Sequence, residues 1–324
     1  MNSRLIIINE KDIENSVTNE DLICGIEHAY RIQDSESTYV PDRSHLDYKG
    51  NTLLLMPGFT SDVFGTKLVT LFPENYKKQL SVLSGIMVLN DIETGYPKAI
   101  IHGAKLTAVR TGAVGATAVK YMAPEDSEIL GIIGAGIQAY HQAVISINQR
   151  DFKSILISDK DAAAARAMKE KLIKDTAQDL SIEIIRSDEL VQESDVIITA
   201  TSSVVPVFDT KLRSDHKKCI IGIGSYKPNM QEIPIVTGRE FDKIFVDTPF
   251  AKEESGDIKI PMDNGLLKDE AIHSFSSLVT NQESINKKGI NFFKSVGMSL
   301  FDLTVGEMIY KKVIEKGVGQ SFTF

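Results

Sequence analysis

A short glycine-rich segment in the middle of the chain constrains the fold more than any other feature. Residues 129–133 form an apolar run with the length of a buried strand, and the sequence GAGIQA follows at residues 134–139, ahead of a helical pattern. In this G-x-G-x-x-A arrangement the first glycine permits a tight turn, the second lets the backbone approach a pyrophosphate, and the alanine lets the helix pack on the strand. The segment therefore predicts a dinucleotide site with the pyrophosphate at the helix N-terminus. Its predicted cofactor contacts are Gly134, Gly136, Ile137 and Gln138.

An acidic residue stands at the distance that such a segment requires. A second strand pattern, residues 154–158, is followed by Asp159, which lies 20 residues beyond Ala139. A carboxylate at this position accepts hydrogen bonds from ribose hydroxyls and repels a 2′-phosphate, so Asp159 predicts NAD as the cofactor. NADP is the alternative, because Lys160 is adjacent. The competing interpretation is a glycine-rich turn in another α/β fold, with Asp159 only capping the next helix.

The chain has two regions with different patterns of strands and helices. Short strand patterns separated by turn residues predict a mainly antiparallel sheet, with strands at Thr52–Met56, Lys67–Leu71, Gly85–Leu89 and Lys98–His102. Beyond Pro124, strands alternate with helices, which predicts a doubly wound parallel sheet of the Rossmann type. Its predicted strands are Ile129–Ile133, Ser154–Ser158, Ile182–Ile185, Val196–Ala200, Cys219–Ile223 and Lys243–Val246. The predicted fold class is therefore α/β, with a Rossmann domain and a second, α+β domain.

Helical patterns and one break set the predicted domain boundary. Helices are predicted at residues 20–33, 104–121 and 162–174, and from Asn291 towards the C-terminus. The sequence APED at residues 123–126 ends the second of these helices. We therefore expect the Rossmann domain to comprise residues 123–302, and the other domain to comprise residues 1–122 and 303–324.

Composition narrows the class of protein and its compartment. An apolar content of 42% and a charged content of 25% are ordinary for a globular enzyme, and the net charge of −8 argues against a nucleic-acid surface. Cys24 and Cys219 lack partners at disulfide or metal spacing and are expected to be buried, and the six histidines show no metal-binding spacing. With no signal-peptide or membrane-spanning pattern, the sequence predicts a cytoplasmic enzyme without a metal, membrane or nucleic-acid partner.

Three basic residues and one acidic residue are candidates for binding a substrate. Arg43 lies in a Pro-Asp-Arg segment, Lys67 in an alternating strand, and Arg110 in a helix of small residues. Arginine suits bidentate binding of a carboxylate, and lysine supplies a movable charge. The alternative for each is a surface charge. Asp302 lies in an apolar stretch, and the sequence leaves open whether it caps a helix or lies near the cofactor.

A series of short motifs follows a fixed order along nearly the whole chain. They are Met56-Pro57, Lys67, Leu89-Asn90-Asp91 with Thr94-Gly95, Arg110-Thr111-Gly112-Ala113, the 134–139 segment, Thr199-Ala200-Thr201, Gly222-Ile223-Gly224 and Ser295-Val296-Gly297. In combination they resemble the ornithine cyclodeaminase and mu-crystallin family. That family includes ornithine cyclodeaminases, alanine dehydrogenases, ketimine and pyrroline-carboxylate reductases, and siderophore-precursor dehydrogenases. The resemblance implies a homodimer that pairs through the substrate-binding domain, here residues 1–122 and 303–324.

The resemblance also assigns roles to single residues. It implies that Lys67 and Arg110 are catalytic residues that hold the substrate carboxylate near the nicotinamide, with Arg43 as a further substrate contact. Val296 would contact the substrate. For the cofactor the resemblance adds contacts at Thr201, Gly222, Gly224 and Ser295.

Two departures from the family pattern bear on the reaction. Cyclodeaminases place a catalytic aspartate two residues before the proline of a G-x-D-x-P-G-x-x-E-L motif, but here Tyr226 holds that position, and a phenol with a pKa of about 10 is a poor base at neutral pH. Val82 replaces a threonine that contacts the cofactor in many members. The sequence thus predicts an oxidoreductase that moves hydride between NAD(H) and the Cα of a small amino or imino acid, with Lys67, Tyr226 or water as proton donor. The alternatives are an ornithine cyclodeaminase and a non-catalytic protein that binds a dinucleotide and a small ligand.

Overall fold

The computed structural model describes residues 4–176, 180–212, 217–235 and 240–323. The chain forms two units, Met1–Arg110 with Met298–Phe324, and Thr111–Gly297. The strands of the described residues are β1 Arg4–Ile8, β2 Ser44–Tyr48, β3 Asn51–Phe59, β4 Val63–Leu71, β5 Leu83–Asp91, β6 Pro97–His102, β7 Ile129–Ile133, β8 Ser154–Ser158, β9 Ser181–Ile184, β10 Val196–Thr199, β11 Lys218–Gly222, β12 Lys243–Val246, β13 Ile272–Ser274, β14 Ile290–Lys294 and β15 Gln320–Thr323. The helices are α1 Glu10–Ser16, α2 Asn19–Ile32, α3 Gly103–Met122, α4 Ile137–Ser146, α5 Ala162–Asp175, α6 Ser187–Glu193, α7 Ala251–Glu254, α8 Gly256–Asp263, α9 Phe275–Val279 and α10 Ser299–Lys316.

The first unit is built from both ends of the chain around a seven-stranded sheet. Its strand order is β15-β1-β6-β5-β4-β3-β2, and neighbouring strands are antiparallel except β1 and β6. The prediction of a mainly antiparallel sheet is therefore confirmed. The four predicted strands correspond to β3, β4, β5 and β6, each of which is longer than its sequence pattern indicated.

Alternation along β4 determines which of its side chains enter the core of the first unit. Val63, Gly65, Lys67 and Val69 are buried, whereas the residues between them are half-exposed, because successive side chains of a strand point to opposite faces. Helix α10 packs against β3, β4 and β5 and against α2. Lys67 therefore lies on the buried face of the sheet.

The second unit contains an eight-stranded sheet in which every neighbouring pair is parallel. Its order is β13-β12-β14-β11-β10-β7-β8-β9. The chain proceeds from β7 to β8 and β9 on one side and then to β10 and β11 on the other, and ligands of doubly wound sheets bind where the order reverses in this way. The Rossmann prediction is confirmed, and all six predicted strands are present with ends that agree within one residue.

One segment that was predicted as helix begins as a strand. Residues from Asn291 onward were expected to be helical, but Ile290–Lys294 form β14 inside the second sheet, and α10 begins only at Ser299. All five residues of β14 are buried. A short run that is buried on both faces has no alternation that would distinguish a strand from a helix.

The division between the units differs from the predicted domain boundary. The units divide at residues 110/111, inside the unbroken helix α3, and at 297/298, just ahead of α10. The sequence placed these divisions at 122/123 and 302/303. Pro124 marks where α3 can no longer continue, and α3 itself contains the division.

The cysteines and histidines of the described residues belong to no group that could hold a metal ion. Cys219 is buried as expected, but the prediction is wrong for Cys24, which is exposed on α2 with its Sγ 3.9 Å from Oε1 of Glu20. His216 lies outside the described residues. The described His, Cys, Asp and Glu side chains form no group of three or more that could hold a metal ion. Among the described helices, none is both long and apolar enough to cross a bilayer.

Candidate active site

Lys67 is a buried cation in the first unit. Its place in β4 directs the side chain into the core, where 2% of the residue is exposed. Its Nζ donates to Oδ2 of Asp302 at 2.7 Å, and Asp302, in the first turn of α10, is fully buried. Burial lowers the pKa of Lys67 to about 8, while the Asp302 charge acts in the opposite direction. A lysine of this kind can exchange a proton near neutral pH.

Arg110 reaches the same carboxylate from helix α3. The residue is 7% exposed, and its Nε donates to Oδ1 of Asp302 at 3.0 Å. The two oxygens of Asp302 therefore hold two cations that come from different elements. The alternative in which Lys67 and Arg110 are surface charges is wrong.

Asp302 does not cap a helix. The N-cap of α10 is Met298, without a side-chain cap, and the Asp302 carboxylate is bound by Lys67 and Arg110. The cap interpretation is therefore wrong. Its partners lie 235 and 192 residues away along the chain, so the local sequence could not reveal them.

We call Arg43, Lys67, Arg110 and Asp302 the basic cluster. Arg43, half-buried just before β2, lies close enough for its charge to lower the pKa of Lys67, as does the charge of Arg110. Two buried cations, Lys67 and Arg110, thus share one carboxylate. Among the described residues, Asp302 is the acceptor for the side chains of Lys67 and Arg110, and their other N–H groups meet no acceptor. The basic cluster is suited to bind a further anion, such as a carboxylate.

The glycine-rich turn of the second unit has the geometry that a bound pyrophosphate requires. Gly134 has a φ of +113°, and a Cβ there would lie 2.7 Å from the carbonyl oxygen of Ala200, so the position favours glycine. A Cβ on Gly136 would meet no atom within 4 Å. Gly136 is also the N-cap of α4, with no side-chain cap, so the first N–H groups of this helix can bind an anion.

A cavity of about 740 Å³ lies beside this turn. Gly134, Gly136, Asp159 and Thr201 contribute to its lining, together with the basic residues Lys160 and Arg186. Ile137 and Gln138 form the first turn of α4; Ile137 is 73% exposed, and Oε1 of Gln138 is buried without a partner among the described residues.

Asp159 is fixed at the end of β8 by backbone groups. Its Oδ2 accepts from the N–H of Ala135 at 2.7 Å, and its Oδ1 accepts from the N–H of Asp161 at 2.8 Å. The N-cap of α5 is Asp161, whose side chain accepts from the next helical N–H groups. The interpretation of Asp159 as only a helix cap is therefore wrong, and its carboxylate joins the glycine-rich turn to β8.

Glu232 is a buried carboxylate that was not among the predicted site residues, although it holds the place of the glutamate in the G-x-D-x-P-G-x-x-E-L motif. Its oxygens accept from the N–H and hydroxyl of Thr201 at 2.7 and 2.8 Å, from the Thr199 hydroxyl at 3.0 Å, and from the N–H of Gly224 at 2.7 Å. The N–H of Ser225 donates to it as well. Burial raises the pKa of Glu232, and the charge of Lys294 opposes this effect. Glu232 thus ties together the loops after β10 and β11.

A second buried carboxylate holds the loop that contains Ser295 and Val296. Oδ2 of Asp247, which follows β12, accepts from the Ser295 hydroxyl at 2.6 Å and from the N–H groups of Val296 and Gly297 at 3.0 and 2.7 Å. Burial raises the pKa of Asp247. The sequence did contain a signal, because Asp247 follows a predicted strand just as Asp159 does.

Gly222 and Tyr226 belong to the segment after β11. The carbonyl of Gly222 accepts from the N–H of Ser295 at 3.0 Å. Tyr226 is 43% exposed, and the Nζ of Lys227 lies 5.7 Å from the centre of its ring. The position that carries the catalytic aspartate in cyclodeaminases is therefore occupied by a solvent-accessible phenol.

The doubly wound sheet, its glycine-rich turn and the basic cluster of the other unit define an α/β protein with a dinucleotide-type site and an anion-type site. The chain matches the ornithine cyclodeaminase/mu-crystallin family over residues 5–317. It is 31% identical to a Delta(1)-pyrroline-2-carboxylate reductase of Bacillus thuringiensis subsp. konkukian. The match extends over 328 residues and covers 99% of this chain and 100% of the relative. The protein belongs to the ornithine cyclodeaminase/mu-crystallin family, as its motifs predicted.

Solved structures agree with this assignment. Thermococcus litoralis Delta(1)-pyrroline-2-carboxylate reductase, in complex with NADH and L-proline, is 30% identical, with a TM-score of 0.89 over 97% of this chain and 99% of that chain. An archaeal alanine dehydrogenase dimer with bound NAD is 25% identical, with a TM-score of 0.91 over 99% of both chains.

Proposed function

We propose that this protein is an NAD-dependent oxidoreductase that transfers hydride to the Cα of a small cyclic imino acid of the Delta(1)-pyrroline-2-carboxylate type, or from the Cα of the corresponding amino acid. The observation that carries the proposal is the basic cluster. A buried excess of positive charge calls for an anionic partner, and a carboxylate is the anion that imino and amino acids share. The relatives at 30 and 31% identity, which are named for this reduction, support the choice of substrate class.

The glycine-rich turn fits a dinucleotide. The open space at Gly136 and the uncapped start of α4, with Ile137 and Gln138, would hold the pyrophosphate, and Asp159 would accept from the ribose hydroxyls. The remaining proposed cofactor contacts are Gly134, Thr201, Gly222, Gly224 and Ser295. When bound, NADH supplies the hydride that the carbon of the C=N bond receives.

The basic cluster would orient the substrate. Lys67 and Arg110 would each donate a charge-assisted hydrogen bond to the carboxylate, and Arg43 adds positive charge. Fixing one end of a small ring restricts where its C=N bond can lie, and such positioning lowers the barrier of the reaction. Lys67, with a pKa of about 8, can also supply the proton that the imine nitrogen gains, with Tyr226 and water as the alternatives. Val296 is the further proposed substrate contact.

We also propose that the protein is a cytoplasmic homodimer. The face of the first sheet opposite α10 carries half-exposed apolar side chains, namely Leu53, Leu55, Phe64, Leu68, Val88 and Ile100. A second copy would cover this face, and the archaeal relative is described as a dimer.

The proposed reaction is tested with the purified protein, NADH and a panel of substrates. We expect Delta(1)-pyrroline-2-carboxylate to be reduced to proline, with loss of NADH absorbance, and we expect 1-pyrroline, which lacks the carboxylate, not to be reduced. Pyruvate with ammonia tests the alanine dehydrogenase reaction. Binding of NADH without turnover of any imino acid would mean that the protein is a non-catalytic ligand-binding protein.

Ornithine with NAD distinguishes this proposal from the cyclodeaminase reaction. Because Tyr226 replaces the catalytic aspartate, we expect no appreciable ammonia or proline from ornithine. Formation of both without net NADH consumption would favour the cyclodeaminase, and some other group would then perform the work of that aspartate.

A further inference from the structure

We propose that Asp302 is a positioning residue that makes the basic cluster a receptor for one carboxylate, by holding Lys67 and Arg110 side by side and by keeping the Lys67 amine protonated. The inference rests on the proposed function for the identity of the ligand, an imino or amino acid carboxylate. It concerns a residue that acts on the substrate only through its two partners.

The geometry gives Asp302 the first of these roles. Its oxygens accept from Nζ of Lys67 at 2.7 Å and from Nε of Arg110 at 3.0 Å. Two cations this close to one another repel unless an anion lies between them. Each cation uses one N–H group on Asp302, and its other N–H groups can bind a ligand.

The first turn of α10 is itself held in place by β3. The hydroxyl of Ser299 donates to the carbonyl of Pro57 at 2.7 Å. A Cβ on Gly58 would lie 2.7 Å from Cδ1 of Leu303, so the helix packs closely on the strand at this glycine. Asp302 lies between these two contacts in sequence, and its carboxylate is therefore presented at a fixed place.

Charge gives Asp302 its second role. Burial of the Lys67 amine and the charges of Arg110 on α3 and Arg43 before β2 all lower the pKa of Lys67, whereas Asp302 on α10 raises it, and the result is a pKa of about 8. Without Asp302 the remaining influences all favour the neutral amine. The protonated form of Lys67 at neutral pH therefore depends on this one carboxylate.

Another buried ion pair in this protein has a different balance of charge. Lys294 and Asp257 are both fully buried, 3.1 Å apart, and the second oxygen of Asp257 accepts from the N–H groups of Glu232 and Ile233. The charge of Lys294 also acts on the buried carboxylates of Glu232 and Asp247, so the anions are in excess there. In the basic cluster the two buried cations Lys67 and Arg110 share the one carboxylate of Asp302, which leaves positive charge for a ligand.

The test is the pH dependence of carboxylate binding in Asp302→Asn. The probe is cyclopentanecarboxylate, which has a five-membered ring, no reducible bond and no group that titrates above pH 6. In calorimetry on the wild type, we expect affinity to fall as the pH rises through about 8, because the protonated lysine is lost. In Asp302→Asn the fall should begin about one to three pH units lower, so affinity at neutral pH drops about tenfold or more.

Three further variants separate charge from structure. Asp302→Glu keeps the negative charge, so its affinity should fall at nearly the same pH as that of the wild type. Lys67→Arg removes the titrating group, so its affinity for cyclopentanecarboxylate should change little as the pH rises through about 8. Asp257→Asn breaks the other buried pair and should lower the melting temperature without moving the pH dependence.

The inference is overturned if the affinity of folded Asp302→Asn falls at the same pH as that of the wild type. It is also overturned if the pH of this fall shifts as far in Asp302→Glu as in Asp302→Asn. If Asp302→Asn does not fold, Lys67→Arg provides the test. A fall in carboxylate affinity near pH 8 that persists in Lys67→Arg overturns the inference, and loss of that fall supports the inference. Failure of the proposed function is distinguishable. In that case the wild type reduces no imino acid, whatever the pH dependence of binding.

Discussion

Lys67 and Arg110 are the residues whose substitution tests the proposed reaction most directly. If both bind one substrate carboxylate, each contributes a charge-assisted hydrogen bond of about 1.5 to 3 kcal/mol. We therefore expect Lys67→Ala and Arg110→Ala to lower kcat/KM by about 10- to 100-fold or more, with NADH affinity nearly unchanged. Steady-state kinetics and NADH titration measure both. Normal activity in Lys67→Ala, or equal use of a substrate amide, would rule out carboxylate binding at this site.

The structure adds a cost that the sequence did not reveal. Either substitution leaves the buried Asp302 carboxylate with one partner instead of two, so the melting temperature should fall together with activity. A loss of stability without a loss of kcat/KM in the folded variants would mean that the cluster serves only the fold.

Asp159 is expected to set the preference for NADH over NADPH. Its carboxylate would repel a 2′-phosphate, so Asp159→Ser should raise the ratio of kcat/KM for NADPH to that for NADH by about tenfold or more. Asp161→Ser is the matched control, since Asp161 caps α5 and should affect stability but not the ratio. Comparable wild-type kcat/KM for both cofactors would contradict the prediction.

Residues with a local signal could be predicted from the sequence, and their distant partners could not. Lys67, Arg110 and Asp159 stand in recognisable strand, helix and turn patterns, and the structure places the first two on one carboxylate. Nothing in the sequence near Asp302 or Glu232 indicates which groups their carboxylates bind, because those groups come from other elements.

At the level of elements, the N-terminus of α4 can be tested by a substitution at Gly136, its N-cap. A Cβ at Gly136 meets nothing in the chain, so Gly136→Val should leave the melting temperature nearly unchanged but lower NADH affinity by about tenfold or more, because the side chain enters the proposed pyrophosphate space. Gly224→Ala is the contrasting variant. Its Cβ would lie 2.0 Å from the carbonyl oxygen of Thr201, so it should lower the melting temperature. Full NADH affinity in Gly136→Val would mean that the dinucleotide does not bind at this turn.

The elements that the sequence predicted well are those with alternation or clear turn residues. The strands of the second unit that precede helices fall within one residue of their predicted ends. β14 was taken for helix although β10 and β11, which are equally buried, were predicted as strands, so burial on both faces does not by itself explain the error. β1 and β15 come from the two ends of the chain, and their antiparallel pairing joins distant parts of the sequence. Pairing of this kind is a property of the folded unit and leaves little trace in either segment alone.

For the whole molecule, we expect two copies to associate through the first sheet. Both edge strands, β2 and β15, are exposed along their whole length, and the sheet face opposite α10 is apolar and half-exposed around Leu68 and Val88. An apolar sheet face that is half-exposed in one copy is stabilised by a partner. We predict that the wild type has the mass of a dimer in light scattering at micromolar concentration.

Substitutions on that face should separate the copies. Leu68→Glu with Val88→Glu places charges in the middle of the proposed interface, where they would be buried without partners, and should shift the mass to that of a monomer. Ile173→Glu on α5 is the control, because Ile173 is equally apolar but 58% exposed in the other unit, and its mass should equal that of the wild type. A monomeric wild type would contradict the proposal. A variant that stays dimeric would mean that the interface lies on another surface. The exposed edge strands β2 and β15 would then be tested by proline substitution.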